Sequence, residues 1–197
     1  RPVTSGPPRV RTLGRFVGGG GSRLGLDDPL FEHAAAVELD GPTADVYAAN
    51  FDDELLRLGL TDWRAAMDVL RRHGPYDFCQ ASTPCPDFSR SGKGIEGPRA
   101  RLTVSTTRLL IGLRVPVIAY ENVSRMLASK AWAESRALLE GAGYATRAVE
   151  VDAADCGVPQ RRKRVFVMAL RGVGVVDAEQ RLDRWAQRGS ERVLEGR

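Results

Sequence analysis

The sequence is short of the residues that staple or metallate a chain: its 197 residues include three cysteines, Cys79, Cys85 and Cys156, and two histidines, His33 and His73. An odd number of cysteines at irregular spacing excludes a disulfide framework, and so few histidines exclude a Cys/His zinc pattern. Long apolar runs are missing too. No stretch approaches the ~20 residues of a membrane-spanning helix, and the N-terminus lacks the apolar core of a signal peptide, so we expect a soluble cytoplasmic protein. Lysine is scarce. Of 29 basic residues only Lys93, Lys130 and Lys163 are lysine, so the net charge of +4 is carried by arginine. Such a balance permits a polyanionic partner without demanding one. What is present is a globular composition, 43% apolar and 27% charged, in a chain long enough to bury about 70% of its unfolded surface in one domain. The first residue is Arg1 rather than Met, and we expect a trimmed or partial chain.

Strand and helix patterns alternate. Residues 1–9 read as a lead-in with Pro2, Pro7 and Pro8, and residues 10–172 as one domain. Val10 to Val17 predicts a strand that runs into Gly18, Gly19, Gly20 and Gly21, where the backbone can turn tightly or approach a ligand. A short helix through Leu24 and Leu26 follows. Phe31 to Leu39 predicts a buried strand, Asp40 the cap of a helix ending near Asn50, and Thr61 or Asp62 the cap of the next. Further strands are expected at Tyr76–Ala81, Pro116–Tyr120, Tyr144–Val151 and Arg164–Leu170, with helices at Arg99–Leu113 and Ser129–Glu140. Residues 82–98 form a long loop, and long loops in compact domains are usually functional. Residues 173–197 read as a helical tail, with Asp177 and Gln180 in capping-box positions. The alternation implies an α/β fold with a mostly parallel sheet covered by helices on both faces.

Ligands of such sheets bind beyond the carboxyl ends of the strands. Four polar clusters follow predicted strands there: the Gly run, Glu38, Cys85 in the long loop, and Glu121-Asn122. Each alone has a plainer reading, as a flexible turn, a helix cap or a small buried thiol. Together, the segments Phe16-Val17-Gly18-Gly19-Gly20-Gly21, Pro84-Cys85-Pro86-Asp87-Phe88-Ser89, Glu121-Asn122-Val123 and Gly157-Val158-Pro159-Gln160-Arg161-Arg162-Lys163-Arg164 resemble, in order and spacing, motifs of the cytosine-C5 DNA methyltransferases. The resemblance covers residues 12–170.

That resemblance implies a Rossmann-like S-adenosylmethionine-dependent methyltransferase fold and a mechanism. Cytosine C5 is a poor nucleophile until a thiolate adds at C6, and by resemblance Cys85 is that nucleophile. Glu121 resembles the acid that protonates or hydrogen-bonds N3. The family pattern selects Gln160, Arg162 and Arg164, whose forked donors can hold cytosine O2, the catalytic loop or a phosphate; on a strand they alternate with Arg161 and Lys163. Phe16, Gly18, Gly20 and Gly21 resemble the loop beneath the donor's methionine part. Glu38 resembles the acid accepting both ribose hydroxyls, beside Leu39; Asp62 resembles the acid near the adenine amine, though capping the following helix satisfies it equally well. Pro84 stiffens the catalytic loop at the donor's edge. Asn122 is expected to fix loop geometry against the substrate, and Ser89, Arg90 and Lys93 to meet double-stranded DNA when the base is flipped out. No metal is expected.

Two departures stand out. Gly14 occupies the place where the family carries an acid, and Pro86 replaces a common Gln. The target-recognition region and the last motifs of the family are not found, so we expect a partial chain, or a split enzyme completed by a downstream region or second subunit, ahead of a degenerate remnant. The alternatives are a tRNA cytosine-C5 methyltransferase and a non-catalytic S-adenosylmethionine- or DNA-binding module.

Overall fold

The computed structural model describes residues 9–84 and 100–172, together with residues 177, 180, 181, 183 and 184. Seven strands and five helices carry the fold: β1 (Val10–Arg15), α1 (Gly21–Gly25), β2 (Phe31–Val37), α2 (Gly41–Asn50), β3 (Leu55–Leu56), α3 (Trp63–Arg71), β4 (Phe78–Ala81), α4 (Arg101–Gly112), β5 (Val117–Asn122), α5 (Lys130–Gly141), β6 (Tyr144–Asp152) and β7 (Lys163–Arg171). Helix starts follow local chemistry. Asp40 accepts the Thr43 N–H at 3.0 Å ahead of α2, Asp62 accepts those of Arg64 and Ala65 at 3.1 Å ahead of α3, and Ser129 accepts that of Trp132 at 3.0 Å ahead of α5. Each cap satisfies amide donors that have no partner within the helix.

The strands form one sheet in the order β3-β2-β1-β4-β5-β7-β6. β1 to β5 pair in parallel, while β7 runs antiparallel to both β5 and β6. Alternation along the central strands sends Leu13, Cys79, Ile118, Tyr120, Val165 and Val167 to the face covered by α3, α4 and α5, where Leu70, Leu109, Leu110 and Leu139 close the main core. Every fully buried aliphatic side chain there contributes roughly 1.5–3 kcal/mol. The other face carries α1 and α2, with Tyr47 of α2 packed on Val17 and Ala36. Helices on both faces and a mostly parallel sheet are what the sequence predicts.

The edges differ in detail. β1 stops at Arg15 rather than Val17 because Phe16 takes a φ of 54°, which ends extended structure. β2 stops at Val37, and β4 begins at Phe78, preceded by Asp77, whose carboxylate accepts the Arg11 N–H at 2.9 Å. Leu26 is the C-cap of α1 and not part of the helix. The two-residue β3 and the 3₁₀ turns at Ser124–Ala128 and Ala153–Cys156 are additions, too short for a periodicity to announce.

Candidate active site

Both candidate cavities lie at the carboxyl edge of the parallel strands. The first is built by the turn after β1. Phe16 sits in the left-handed region, rare for a bulky residue, its N–H donating to Val37 O at 2.9 Å. Gly20 has φ 99°, and a Cβ there would lie 2.0 Å from the Phe51 ring, so no other residue fits. Gly18 donates its N–H to Glu38 Oε2 at 3.0 Å, and Leu39 and Asp40 donate theirs to Oε1 at 2.9 and 3.1 Å. Glu38 thereby locks the Gly turn to the end of β2. Gly21 opens α1 with clear space around it.

Beside this turn is an apolar cavity of about 100 Å³ lined by Phe16, Leu39, Leu58, Leu60, Thr61 and Leu102. Leu39 is 64% exposed, an apolar surface at the mouth suited to a flat ring. Asp62 follows Thr61, and its Oδ1 serves as the α3 cap. Sequence reasoning missed Leu58, Leu60 and Leu102. Their only signal is apolar character near element ends, which core residues share. Gly14, on β1, would bring a Cβ to 2.7 Å from Val17 Cγ1, so the acid of the family pattern has no room here without movement of Val17.

The second cavity is a cleft of about 610 Å³ over the face of β4, β5 and β7 that α1 and α2 leave open, lined by Gln80, Ser82, Glu121, Arg162, Arg164 and apolar residues including Phe78, Ala119 and Phe166. Glu121 and Arg164, each about a fifth exposed, form an ion pair with Nε to Oε1 at 3.0 Å. The expected alternation holds: Arg162 and Arg164 line the cleft, whereas Arg161 and Lys163 pair with Asp152 and Glu150 at 3.5 and 3.8 Å. Asp152 organises the whole basic segment. Its Oδ1 accepts the Arg162 N–H at 2.9 Å, and that bond, ahead of the opposing effect of burial, holds its carboxyl below the usual value. No motif pointed to Asp152. Gln160 is exposed in the loop before β7.

Asn122 alternates away from the cleft and is 1% exposed. Its Nδ2 donates to Thr83 O at 2.9 Å and Thr83 Oγ1 at 3.1 Å, while Thr103 of α4 donates to the same hydroxyl at 3.2 Å. The segment that runs through Thr83 to Pro84 is thus fixed to β5 and α4 from inside, and Asn122 acts on that segment. Cys85, Ser89, Arg90 and Lys93 lie outside the described residues, as do residues 1–8 and most of the tail. The described tail residues are helical, and Asp183 pairs with Arg147 of β6 at 3.0 Å. Among the described residues no cluster of His, Cys, Asp and Glu suits a metal, and no helix is long and apolar enough to cross a membrane.

A family model described as C-5 cytosine-specific DNA methylase matches residues 10–184. The chain is 35% identical over 169 residues to the Type II methyltransferase M.HgiDI of Herpetosiphon aurantiacus, covering 85% of this chain and 54% of that protein. It is 31% identical over 156 residues to the Type II methyltransferase M.HindV of Haemophilus influenzae, covering 79% and 51%. The chain therefore spans about half the length of these relatives. In fold it is similar to the crystal structure of the S. pombe Dnmt2 methyltransferase, with a TM-score of 0.68 at 22% identity over 87% of this chain and 55% of that one. With the motif residues gathered at one edge of a sheet of this order, the chain belongs to the C-5 cytosine-specific DNA methylase family.

Proposed function

We propose that the chain is the donor-binding and catalytic lobe of an enzyme that methylates C5 of a flipped-out cytosine in duplex DNA. The observation that carries this reading is the adjacency of two sites at one sheet edge: an apolar slot next to a ribose-sized acid, Glu38, and a cleft holding the Glu121–Arg164 pair. The slot suits S-adenosylmethionine. Phe16 and Leu39 offer faces for a purine, and Glu38, whose Oε1 already accepts two backbone N–H groups and whose Oε2 accepts one, keeps one lone-pair site on Oε2 for a ribose hydroxyl. When bound, the donor supplies an electrophilic methyl on its sulfonium.

The chain's residues do the rest. The Cys85 thiolate adds to C6, the ring electrons move toward N3, and Glu121, in its protonated form, delivers a proton there and is left as the carboxylate that pairs with Arg164. The enamine so formed carries its nucleophilic carbon at C5. After methylation, water takes the C5 proton as β-elimination breaks the C6–S bond and returns the thiolate, and the N3 proton goes back to Glu121. Arg164 steers the Glu121 carboxyl, and Arg162 presents a second guanidinium to the base or a phosphate. A base stacked in the duplex is out of reach of Cys85, which requires flipping. Target recognition belongs to a downstream region or second subunit, the Type II relatives being about twice as long.

Transfer of labelled methyl from S-adenosylmethionine to duplex DNA and to tRNA tests the reading. Label in DNA, with or without the rest of the enzyme supplied, is the expected result; label confined to tRNA contradicts it.

A further inference from the structure

Directly under the proposed donor slot lies a charge that the reaction does not use. Arg15, the last residue of β1, is 0% exposed and is among the largest fully buried side chains of the protein. Its Nη1 donates to Thr106 O at 3.5 Å and its Nη2 to Thr106 Oγ1 at 3.3 Å, both long. Among the described residues its Nε has no hydrogen-bond partner and no carboxylate lies within ion-pair distance. Burial brings its pKa down to about 10, against the opposing pull of Cys79 and Tyr120, so it remains a cation at neutral pH. An apolar side chain of similar volume is the more stable occupant of such a place, because a buried guanidinium without a counter-charge recovers little of its desolvation cost.

The placement gives the charge a use. The guanidinium carbon lies 5.7 Å from the centre of the Phe16 ring, within cation–π range, and Phe16 forms one wall of the slot. Thr106 lies four residues after Leu102 on α4, so the two share a helix face, and Leu102 also lines the slot. Arg15 therefore reaches from the strand that leads into Phe16 to the helix that carries Leu102, one turn along α4 from it. We propose that Arg15 is a positioning residue for the methyl donor: it holds Phe16 and Leu102 at the separation the donor's ring requires, at a cost to the stability of the fold. The proposal rests on the reading of the slot as the donor site.

Two readouts with opposite signs separate this role from a packing role. In Arg15→Met, thermal unfolding of the 197-residue chain is expected to rise by about 3 °C, while titration calorimetry with S-adenosylhomocysteine shows affinity about tenfold weaker. An affinity within twofold of the wild type overturns the proposal, whatever the melting temperature. If Arg15→Met fails to fold, Thr106→Val decides. That variant keeps the shape and removes one acceptor, and is expected to bind about threefold more weakly; unchanged binding overturns the proposal. A wild-type chain that binds no donor overturns the reading of the slot, and the proposal with it, and the wild-type titration alone identifies that case.

Discussion

At the scale of single residues, the cleft is organised by one ion pair whose two members sit far apart in sequence, Glu121 and Arg164. Neither is deeply buried, so the pair contributes no more than about 1 kcal/mol to stability. Its value lies in chemistry. Glu121→Gln keeps the shape and a hydrogen-bond donor but has no acidic proton to deliver. Methyl transfer is expected to fall by about 10²–10⁴ with an unchanged melting temperature; a variant with wild-type turnover removes Glu121 from the acid role. The strand-end position of Glu121 was legible from order alone; period showed that Arg162 and Arg164 alternate with Arg161 and Lys163, and the family resemblance chose which pair faces the cleft. Asp152 was not, because a residue that holds a loop through backbone N–H groups leaves no spacing rule in the sequence. Leu102 was not legible either, since an apolar residue in the first turn of a helix reads the same whether it faces a core or a cavity.

At the scale of elements, the turn after β1 depends on how α1 is tied back to the sheet. The Leu26 carbonyl at the end of α1 only accepts, so His33 Nε2 carries the proton in their 3.1 Å bond, leaving Nδ1 to accept from the Thr12 hydroxyl at 3.0 Å. Burial first, and the nearby Arg23 second, lower the His33 pKa below its ordinary value of 6.5. The neutral ring is therefore the folded form. Its stabilisation is complete above about pH 6.5 and is lost as pH falls through the lower folded value, because the unfolded chain then binds the extra proton. Denaturant unfolding at pH 7.5 and 5.5 is expected to show a larger loss of stability in the wild type than in His33→Gln; equal losses contradict this. The sequence placed Asp40 as a cap and offered Thr61 or Asp62 for the next helix, of which Asp62 makes the bonds; it took Ser129 as the first residue of a helix, where the structure has it as the cap. It overran β1 because hydropathy does not register a positive φ such as that of Phe16, which ends a strand without any polar residue.

At the scale of the whole molecule, the sheet brings residues from 16 to 164 to one edge, and the parallel order β2-β1-β4-β5 sets the apolar slot and the cleft side by side. Topology explains why motifs separated by dozens of residues were recognisable as a set before any coordinates. The open face over β4, β5 and β7 was not legible in the sequence, since strands that alternate with helices predict a sheet covered on both faces. The proposed mechanism turns on a covalent bond between Cys85 and cytosine C6. The decisive experiment incubates the chain with S-adenosylmethionine and duplex DNA containing 5-fluorocytosine, supplying the downstream region in a parallel reaction. With fluorine in place of the C5 hydrogen, the methylated adduct cannot eliminate. The expected product is a denaturant-resistant protein–DNA adduct that requires the donor and is absent in Cys85→Ser. An adduct that persists in Cys85→Ser, or none under either condition, would contradict that mechanism.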